Sequence, residues 1–292
     1  MMTKACSGSR LPSLAPWALV ALAIAAACGT TSSSPPRLCN GHAELCDRPF
    51  DQVAFAGAHN AMSNSDQGWL LPNQVHDLAD QLDQGIRVFL IDTHEWQGRT
   101  WLCHEYCELG HIDLVEALSI FRSFLDTHPD EVISFVIQNG ISAAATEAAF
   151  VESGLVRYVY THPEGQPWPT LGQMIDAGTR LLVMAEADGP PPAWYQYAYD
   201  LSWDTPYFFT SPADFSCKPF RGSPDNPIFQ VNHWLSTPFS DPANAEEVNV
   251  FDVLWPRVEQ CRAESGRIPN FVAVDFVSIG DVIRVVDRLN GF

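Results

Sequence analysis

Histidine, carboxylate and amide side chains stand directly after short apolar segments along much of this chain. His59 and Asn60 come after the first such segment, Asp92 comes after the second, and His104 follows a few residues later. Imidazole exchanges protons near neutral pH, and carboxylate and amide oxygens can bind a cation or a hydroxyl group. Further side chains of these types follow later apolar segments: Gln138, Asn139, Glu186, Asn232, His233 and Asp275. The pattern indicates one polar site assembled from many segments.

The segments that carry these residues alternate between two periodicities. Short apolar runs predict strands at 53–56, 86–91, 132–137, 180–185, 228–234 and 271–274. Helical spacing predicts helices at 74–84, 112–125, 245–261 and 281–289. A capping box at 170–173 predicts a further short helix after residue 170. Such alternation predicts parallel βα units. A closed barrel is favoured over a doubly wound sheet because no glycine-rich dinucleotide motif follows the first strand, and barrel chemistry lies at the carboxyl ends of strands.

Acidic residues outnumber basic ones by 35 to 16, which gives the 292-residue chain a net charge of −19. This charge argues against a nucleic-acid-binding protein with a basic face and against electrostatic docking on anionic lipid. Hydrophobic residues make up 46% of the chain, enough for a sizeable core. If the substrate is an anionic phosphate ester, a bound divalent cation is the natural means of offsetting the repulsion.

The N-terminal part of the sequence is typical of an exported protein. An apolar stretch at 17–27 follows Lys4 and Arg10 and is too short to span a membrane. Small residues lead into Cys28, and a run rich in Thr, Ser and Pro follows it. We therefore expect a lipoprotein-type signal peptide at 1–27, a lipid on Cys28, a tether at 28–37 and the domain at 38–292. The chain would then be anchored to a bacterial envelope, at the outer membrane or surface; plain secretion is the alternative.

Six further cysteines lie in the expected domain, and an even number in an exported chain predicts three disulfides. Proximity in sequence favours two short pairs and leaves a third: Cys39–Cys46, Cys103–Cys107 and Cys217–Cys261. Six cysteines allow 15 connectivities, so other pairings stay open. A zinc site is a further alternative reading of these spacings.

Seven segments carry a family resemblance. They include FAGAHNAMS at 55–63, QLDQGIRVFLID at 81–92 and WLCH at 101–104, followed by 129–133, 180–183, 228–233 and 269–275. In this order and spacing they resemble the X domain of phosphatidylinositol-specific phospholipase C, in its single-domain, disulfide-bearing form. The resemblance covers almost all of residues 38–292. It implies a single-domain α/β fold, an irregular TIM-type (β/α) barrel that is incompletely closed.

The resemblance also implies phosphodiester cleavage by two histidines. His59 matches the general base that removes the proton of the inositol 2-hydroxyl, and His104 matches the general acid that protonates the departing diacylglycerol oxygen. Asp275 matches a carboxylate that orients the first histidine. The implied substrate is phosphatidylinositol or a glycosyl-phosphatidylinositol lipid at a membrane surface. The implied products are diacylglycerol and inositol 1,2-cyclic phosphate.

The family differs internally in how it neutralises the phosphate charge. Asn60 and Asp92 match the calcium-dependent relatives, whereas Gln138 and Leu90 stand where those relatives carry glutamates. We therefore expect a weakly bound Ca²⁺ at Asn60, Asp92 and Gln138, completed by water and substrate phosphate. An arginine, either Arg99 or Arg180, is the alternative.

Three other residues are expected to contact substrate: Arg180, Glu186 and His233. The apolar run 69–72 could rim the site and touch lipid. Two other functions stay open. One is a catalytically weak envelope protein that binds lipid or glycan, and the other is a metal-dependent phosphodiesterase acting on other phospholipids. A monomer is the default expectation.

Overall fold

A curled, largely parallel sheet forms the centre of the fold, which a computed structural model describes for residues 36–236 and 239–292. Within these ranges the strands are β1 (Phe55–Ala58), β2 (Val88–Trp96), β3 (Arg99–Leu102), β4 (Ile112–Asp113), β5 (Ile133–Gly140), β6 (Val159–Tyr160), β7 (Leu181–Ala185), β8 (Gln196–Tyr197), β9 (Ser202–Asp204), β10 (Arg221–Gly222), β11 (Ile228–His233) and β12 (Phe271–Val274). The predicted signal peptide, Cys28 and residues 28–35 of the tether lie outside the described residues.

Helices cover the outer face of this sheet. The α-helices of the described ranges are α1 (Leu78–Asp83), α2 (Leu114–Thr127), α3 (Ala143–Ser153), α4 (Leu171–Ala177), α5 (Ala198–Leu201), α6 (Pro242–Val248), α7 (Phe251–Ser265) and α8 (Val282–Asn290). Short 3-10 turns lie at Ala43–Leu45, Phe50–Gln52, Cys107–Leu109, Leu155–Tyr158 and Pro212–Asp214. The capping box expected at Thr170 is present and begins α4.

The sheet runs in the order β10-β9-β11-β12-β1-β2-β5-β7-β6. Along the outer edge of β7, β6 pairs with residues 181–182 and β8 pairs with residues 184–185. The pairings from β9 to β7 are parallel, while β10 and the β3–β4 hairpin add antiparallel strands. Within the described ranges no ladder joins β8 to β9, so the barrel stays open along this seam. The expected single-domain, irregular and incompletely closed barrel is confirmed.

Alternation along each strand decides which residues face the barrel interior. On β2, Phe89 packs outward against Phe121 of α2, with ring centroids 4.8 Å apart. Its neighbours Val88 and Leu90 belong to the inner apolar cluster instead. The same period of two turns Asp92 inward, towards the carboxyl end of the barrel. The interior is therefore apolar at one end and polar at the other.

Two predicted helices are wrong in their bounds. The segment expected as a helix at 74–84 is helical only over α1, because the buried Gln74 side chain donates to the backbone carbonyls of His59 and Val274. The helix expected at 245–261 is instead α6 and α7, interrupted at Asn249. The side-chain amide of Asn249 donates to the carbonyls of Asp275 and Ile279, which fixes its backbone between the two helices.

Three disulfides join the pairs Cys39–Cys46, Cys103–Cys107 and Cys217–Cys261, as expected from proximity. The zinc alternative is therefore wrong for these cysteines, because a disulfide sulfur is not available as a thiolate ligand. In the part of the chain that the structure describes, no helix has both the length and the hydropathy needed to cross a membrane.

Candidate active site

A cleft of about 580 Å³ lies at the carboxyl ends of the parallel strands. Seven of the polar side chains singled out from the sequence line it: His59, Asn60, Asp92, His104, Gln138, Glu186 and Asn232. They come from segments that are far apart in the chain but lie on or after neighbouring strands. The expectation that polar residues after the apolar segments converge on one site is therefore met for these seven.

His59 is held from two sides. Its Nδ1 donates to Asp275 Oδ1 at 2.7 Å, because an ionised carboxylate can only accept, and its ring stacks on Trp234 with centroids 3.7 Å apart. The second oxygen of Asp275 accepts from Ser240 Oγ at 2.7 Å, and Asn73 Nδ2 donates to Oδ1 at 3.2 Å. This arrangement leaves Nε2 of His59 as a free acceptor. The sequence reasoning did not assign Asn73, Trp234 or Ser240 to the site. Asn73 and Ser240 belong to no predicted strand or helix, and Trp234 ends the predicted strand 228–234.

His104 lies on the loop that follows β3, between the two cysteines of the Cys103–Cys107 disulfide. Burial lowers the pKa of its imidazole, and the nearby charge of His59 lowers this pKa further. Among the described residues its ring makes no hydrogen bond, unlike that of His59. The two imidazoles thus face the same cleft but have different surroundings.

Asn60, Asp92 and Gln138 present oxygens to the cleft without using them elsewhere. Within the described ranges no hydrogen bond engages any of the three side chains. Asp92 is only 6% exposed, and its pKa is raised well above the usual range by burial, then by the negative charges of Glu186 and Glu105. A buried carboxylate near two others, with no protein donor, fits a bound cation.

Glu186 follows β7 and is paired with an arginine that the sequence reasoning missed. Arg221 donates from Nη1 to Glu186 Oε1 at 2.9 Å and from Nε to Asp204 Oδ2 at 2.9 Å. Asn232 Nδ2 also donates to Asp204 Oδ2, at 3.2 Å. Arg221 therefore links the ends of β7 and β9 across the open seam. Its two-residue strand β10 carries no periodic signal from which its position could be predicted.

Two residues expected to contact substrate lie elsewhere. Arg180 precedes β7 at the opposite end of the barrel, where its guanidinium donates to the carbonyls of Leu125 and His128. On β11, His233 points to the same face as the outward-facing Phe229, because alternate residues of a strand share a face. It therefore lies under α7. Its Nε2 donates to Val248 O at 2.8 Å, and its ring is fully buried. Both predictions are wrong, because Arg180 stands at the wrong end of a strand and His233 on the wrong face.

An apolar rim surrounds the mouth of the cleft. Its exposed side chains are Leu70, Leu71, Tyr106, Tyr207, Phe208 and Phe239. Phe208 and Phe239 are 67% and 57% exposed. The run 69–72 was expected at this place, and Leu70 and Leu71 lie there, whereas Trp69 is buried. An exposed group of large apolar side chains beside a polar cleft is typical of an interaction surface.

Comparison with known proteins decides the family. The family model described as PI-PLC X 1 matches residues 45–290. The chain belongs to the PI-PLC X family. A PI-PLC X domain-containing protein 1 of Arthroderma benhamiae, itself a family member by name, is 30% identical over 288 residues, which cover 87% of this chain and 90% of that protein.

Other PI-PLC X relatives and solved structures agree with this assignment. An uncharacterized secreted protein of A. benhamiae is 29% identical, and a PI-PLC X domain-containing protein of Arabidopsis thaliana is 27% identical; the chain spans about two thirds of each, 64% and 65%. The phosphatidylinositol-specific phospholipase C of Listeria monocytogenes matches 85% of this chain and 96% of its own, with a TM-score of 0.60 and 19% identity. That of Staphylococcus aureus matches with a TM-score of 0.57 and 12% identity. At these identities the structures establish the fold alone.

Proposed function

We propose that this PI-PLC X protein cleaves phosphatidylinositol-type lipids by two-histidine acid–base catalysis. The observation that carries the proposal is that two imidazoles lie in one cleft and are held by different contacts. His59 is fixed by Asp275 at 2.7 Å with Nε2 free, whereas His104 is half-buried and its ring makes no hydrogen bond within the described residues. The free Nε2 of His59 can accept a proton, and we assign delivery of the second proton to His104, the other imidazole of the cleft.

In the proposed reaction the inositol 2-hydroxyl oxygen attacks phosphorus while Nε2 of His59 takes its proton. Asp275 stabilises the imidazolium that forms and keeps the ring in place. The bond between phosphorus and the diacylglycerol oxygen breaks, and protonated His104 gives its proton to that oxygen. The products are diacylglycerol and inositol 1,2-cyclic phosphate. Water opens the cyclic ester with the two histidines in exchanged roles, which restores their starting protonation states.

The lowered pKa of His104 is compatible with this role because the substrate itself is an anion. A phosphate diester beside the imidazole favours its charged form and so offsets the effect of burial. The acid is therefore charged mainly when substrate is bound.

Asn60, Asp92 and Gln138 are the residues proposed to hold Ca²⁺. Bound there, the ion would supply positive charge to the phosphate, which the acidic cleft otherwise repels. The proposal is supported by the buried carboxylate of Asp92, which lacks a protein donor among the described residues. One formal charge among three ligands predicts weak binding that substrate phosphate strengthens.

The apolar rim is proposed to contact the membrane that holds the substrate. A chain of charge −19 gains little from anionic headgroups, so the attraction must come from apolar side chains such as Phe208 and Phe239.

Export of the protein is proposed as well, with the lipid anchor on Cys28 as an expectation from the sequence. It is tested by mass spectrometry of the mature N-terminus from a bacterial expression host.

The direct test is cleavage of phosphatidylinositol micelles by the purified protein. We expect release of water-soluble phosphorus, lost by at least about 10²-fold in His59→Ala and in His104→Ala. His162→Ala, outside the cleft, is the matched control and should retain activity. A folded wild type that binds the micelles but releases nothing would favour the catalytically weak binding protein, for which Leu90 and Gln138 in place of acids are the supporting feature.

A further inference from the structure

The loop that carries His104 is closed on itself by a covalent bond. Cys103 and Cys107, which flank the segment 104–106, form a disulfide, and both cysteines are buried. The backbone N–H of Cys103 donates to the carbonyl of Asp92 at 3.3 Å, which ties the start of the loop to β2. The loop that carries one proposed catalytic residue is therefore closed by the disulfide and tied at its start to a strand of the barrel by this hydrogen bond.

The far end of the loop is tied to the fold as well. The carbonyl of Cys107 accepts from Nδ1 of His111 at 2.8 Å, and the N–H of Leu70 donates to the carbonyl of Leu109 at 2.8 Å. Between these ends the local contact is a bond from the N–H of Tyr106 to the carbonyl of His104, at 2.6 Å. Residues 104–106 thus connect Cys103 to Cys107, two positions that are tied to the fold and joined to each other by the disulfide.

The His104 ring has none of the supports that fix His59. In the described part of the chain it has no carboxylate partner, no hydrogen bond and no stacked aromatic ring. Its direction therefore depends on its backbone, and Glu105, next to it, adopts a left-handed conformation with φ at 59°. Freeing that backbone would let the loop leave this costly conformation and carry the imidazole away from the cleft.

We propose that the Cys103–Cys107 disulfide positions His104 as the general acid, in the way that Asp275 positions His59. The inference rests on the proposed function. The bridge also makes the activity sensitive to thiols. Dithiothreitol would transfer two electrons and two protons to the disulfide, giving two cysteine thiols and the cyclic disulfide of the reagent. The protein would then be a poor catalyst under reducing conditions and would gain full activity once the bridge forms.

The test compares two leaving groups in the double variant Cys103→Ser/Cys107→Ser. Diacylglycerol leaves as a basic alkoxide that needs a proton, whereas 4-nitrophenolate leaves without one. We expect kcat on phosphatidylinositol to fall by about 10²-fold and kcat on inositol 1-(4-nitrophenyl phosphate) to fall by less than about 3-fold. Equal losses on both substrates, or no loss on either, would overturn the proposal.

The matched control is Cys217→Ser/Cys261→Ser, which removes a disulfide that does not enclose His104. It should change the two rates by the same factor. A second readout needs no turnover. With ¹⁵N-labelled histidine, the ring signals of His104 should shift and broaden in the Cys103→Ser/Cys107→Ser variant while those of His59 stay in place.

Unchanged His104 signals in that variant would overturn the positioning role whether or not the protein cleaves lipid. A wild type that cleaves neither substrate would count against the proposed function instead, and the ring signals would still decide the role of the disulfide.

Discussion

At the residue scale, His59 and His104 share a cleft but are held by different means. His59 is oriented through side chains, by Asp275 and by the stacked Trp234. His104 is oriented through its backbone, within the loop closed by Cys103 and Cys107. The proposed base therefore depends on a hydrogen bond and the proposed acid on chain connectivity, so substitutions should affect them differently.

Asp275→Asn should lower kcat for phosphatidylinositol by about 10²-fold or more with little change in KM. The amide can donate its own hydrogen to His59 Nδ1 and so favour the tautomer with its proton on Nε2, where the base must be free. Steady-state kinetics on micelles measures the effect. Asp252→Asn, which removes the same charge from the exposed face of α7, is the control. Full activity in Asp275→Asn would contradict the role assigned to this carboxylate.

The buried imidazole of His233 is expected to make the folded protein less stable in acid. Burial, and then the nearby charge of Arg257, lower the pKa of His233 to about 3, against about 6.5 in an unfolded chain. Between these values the unfolded chain binds a proton that the folded chain does not. The free energy of unfolding should therefore fall with decreasing pH below 6.5, with this group adding up to about 1.4 kcal/mol per pH unit.

Urea unfolding of the wild type and of His233→Gln at pH 7, 6, 5 and 4 measures this contribution. The variant has no imidazole at the buried position, so its free energy of unfolding should fall less steeply with pH. His128→Gln, at an exposed position, is the control and should follow the wild type. Parallel slopes for the wild type and His233→Gln would show that His233 does not stay neutral in the fold.

At the element scale, loops from several strands form the apolar rim. Phe208 follows β9, and Phe239 follows β11. Inserting a phenylalanine side chain into lipid is worth about 1.5–3 kcal/mol, and 1.4 kcal/mol corresponds to a factor of ten. Phe208→Ala and Phe239→Ala should each weaken binding to phosphatidylinositol-containing vesicles about tenfold.

Sedimentation with sucrose-loaded vesicles measures this binding. Val151→Ala removes an exposed apolar side chain from α3, away from the rim, and should bind like the wild type. Cleavage of the soluble 4-nitrophenyl ester should be unchanged in the rim variants. Wild-type vesicle binding in both variants would mean that the rim does not contact lipid.

The elements also explain what could be predicted from the sequence. Apolar runs located the main parallel strands, and the residues after them converge on the cleft because parallel strands share a carboxyl end. His233 was misplaced because one residue of register reverses the face of a strand. Arg221 was missed because its position depends on the fold of the seam, to which a two-residue strand gives no local signal.

At the scale of the whole molecule, negative charge dominates both the chain and the cleft. Asp92, Glu105 and Glu186 line the cleft, and the guanidinium of Arg221 is already paired with Glu186 and Asp204. We therefore expect the proposed anionic substrate to require a further cation, since the charge of Arg221 is largely neutralised by its partners.

Removal of calcium should accordingly suppress cleavage by at least about 10²-fold, because several kcal/mol of charge stabilisation would be lost. Rates in EGTA and after adding back Ca²⁺ measure this dependence. Asp92→Asn should raise the Ca²⁺ concentration that gives half the maximal rate by about tenfold or more, and Asp252→Asn, on the exposed face of α7, should leave it unchanged. A rate insensitive to EGTA would contradict the proposed calcium site.

The central claim is that two histidines cyclise an inositol phosphodiester. Phosphorus NMR of phosphatidylinositol micelles, followed in time with the wild type, His59→Ala and His104→Ala, tests it most directly. We predict that the wild type forms a five-membered cyclic phosphodiester before any inositol monophosphate, and that neither variant forms it at a comparable rate. Direct appearance of the monophosphate, or a cyclic product formed equally well without either histidine, would contradict the account.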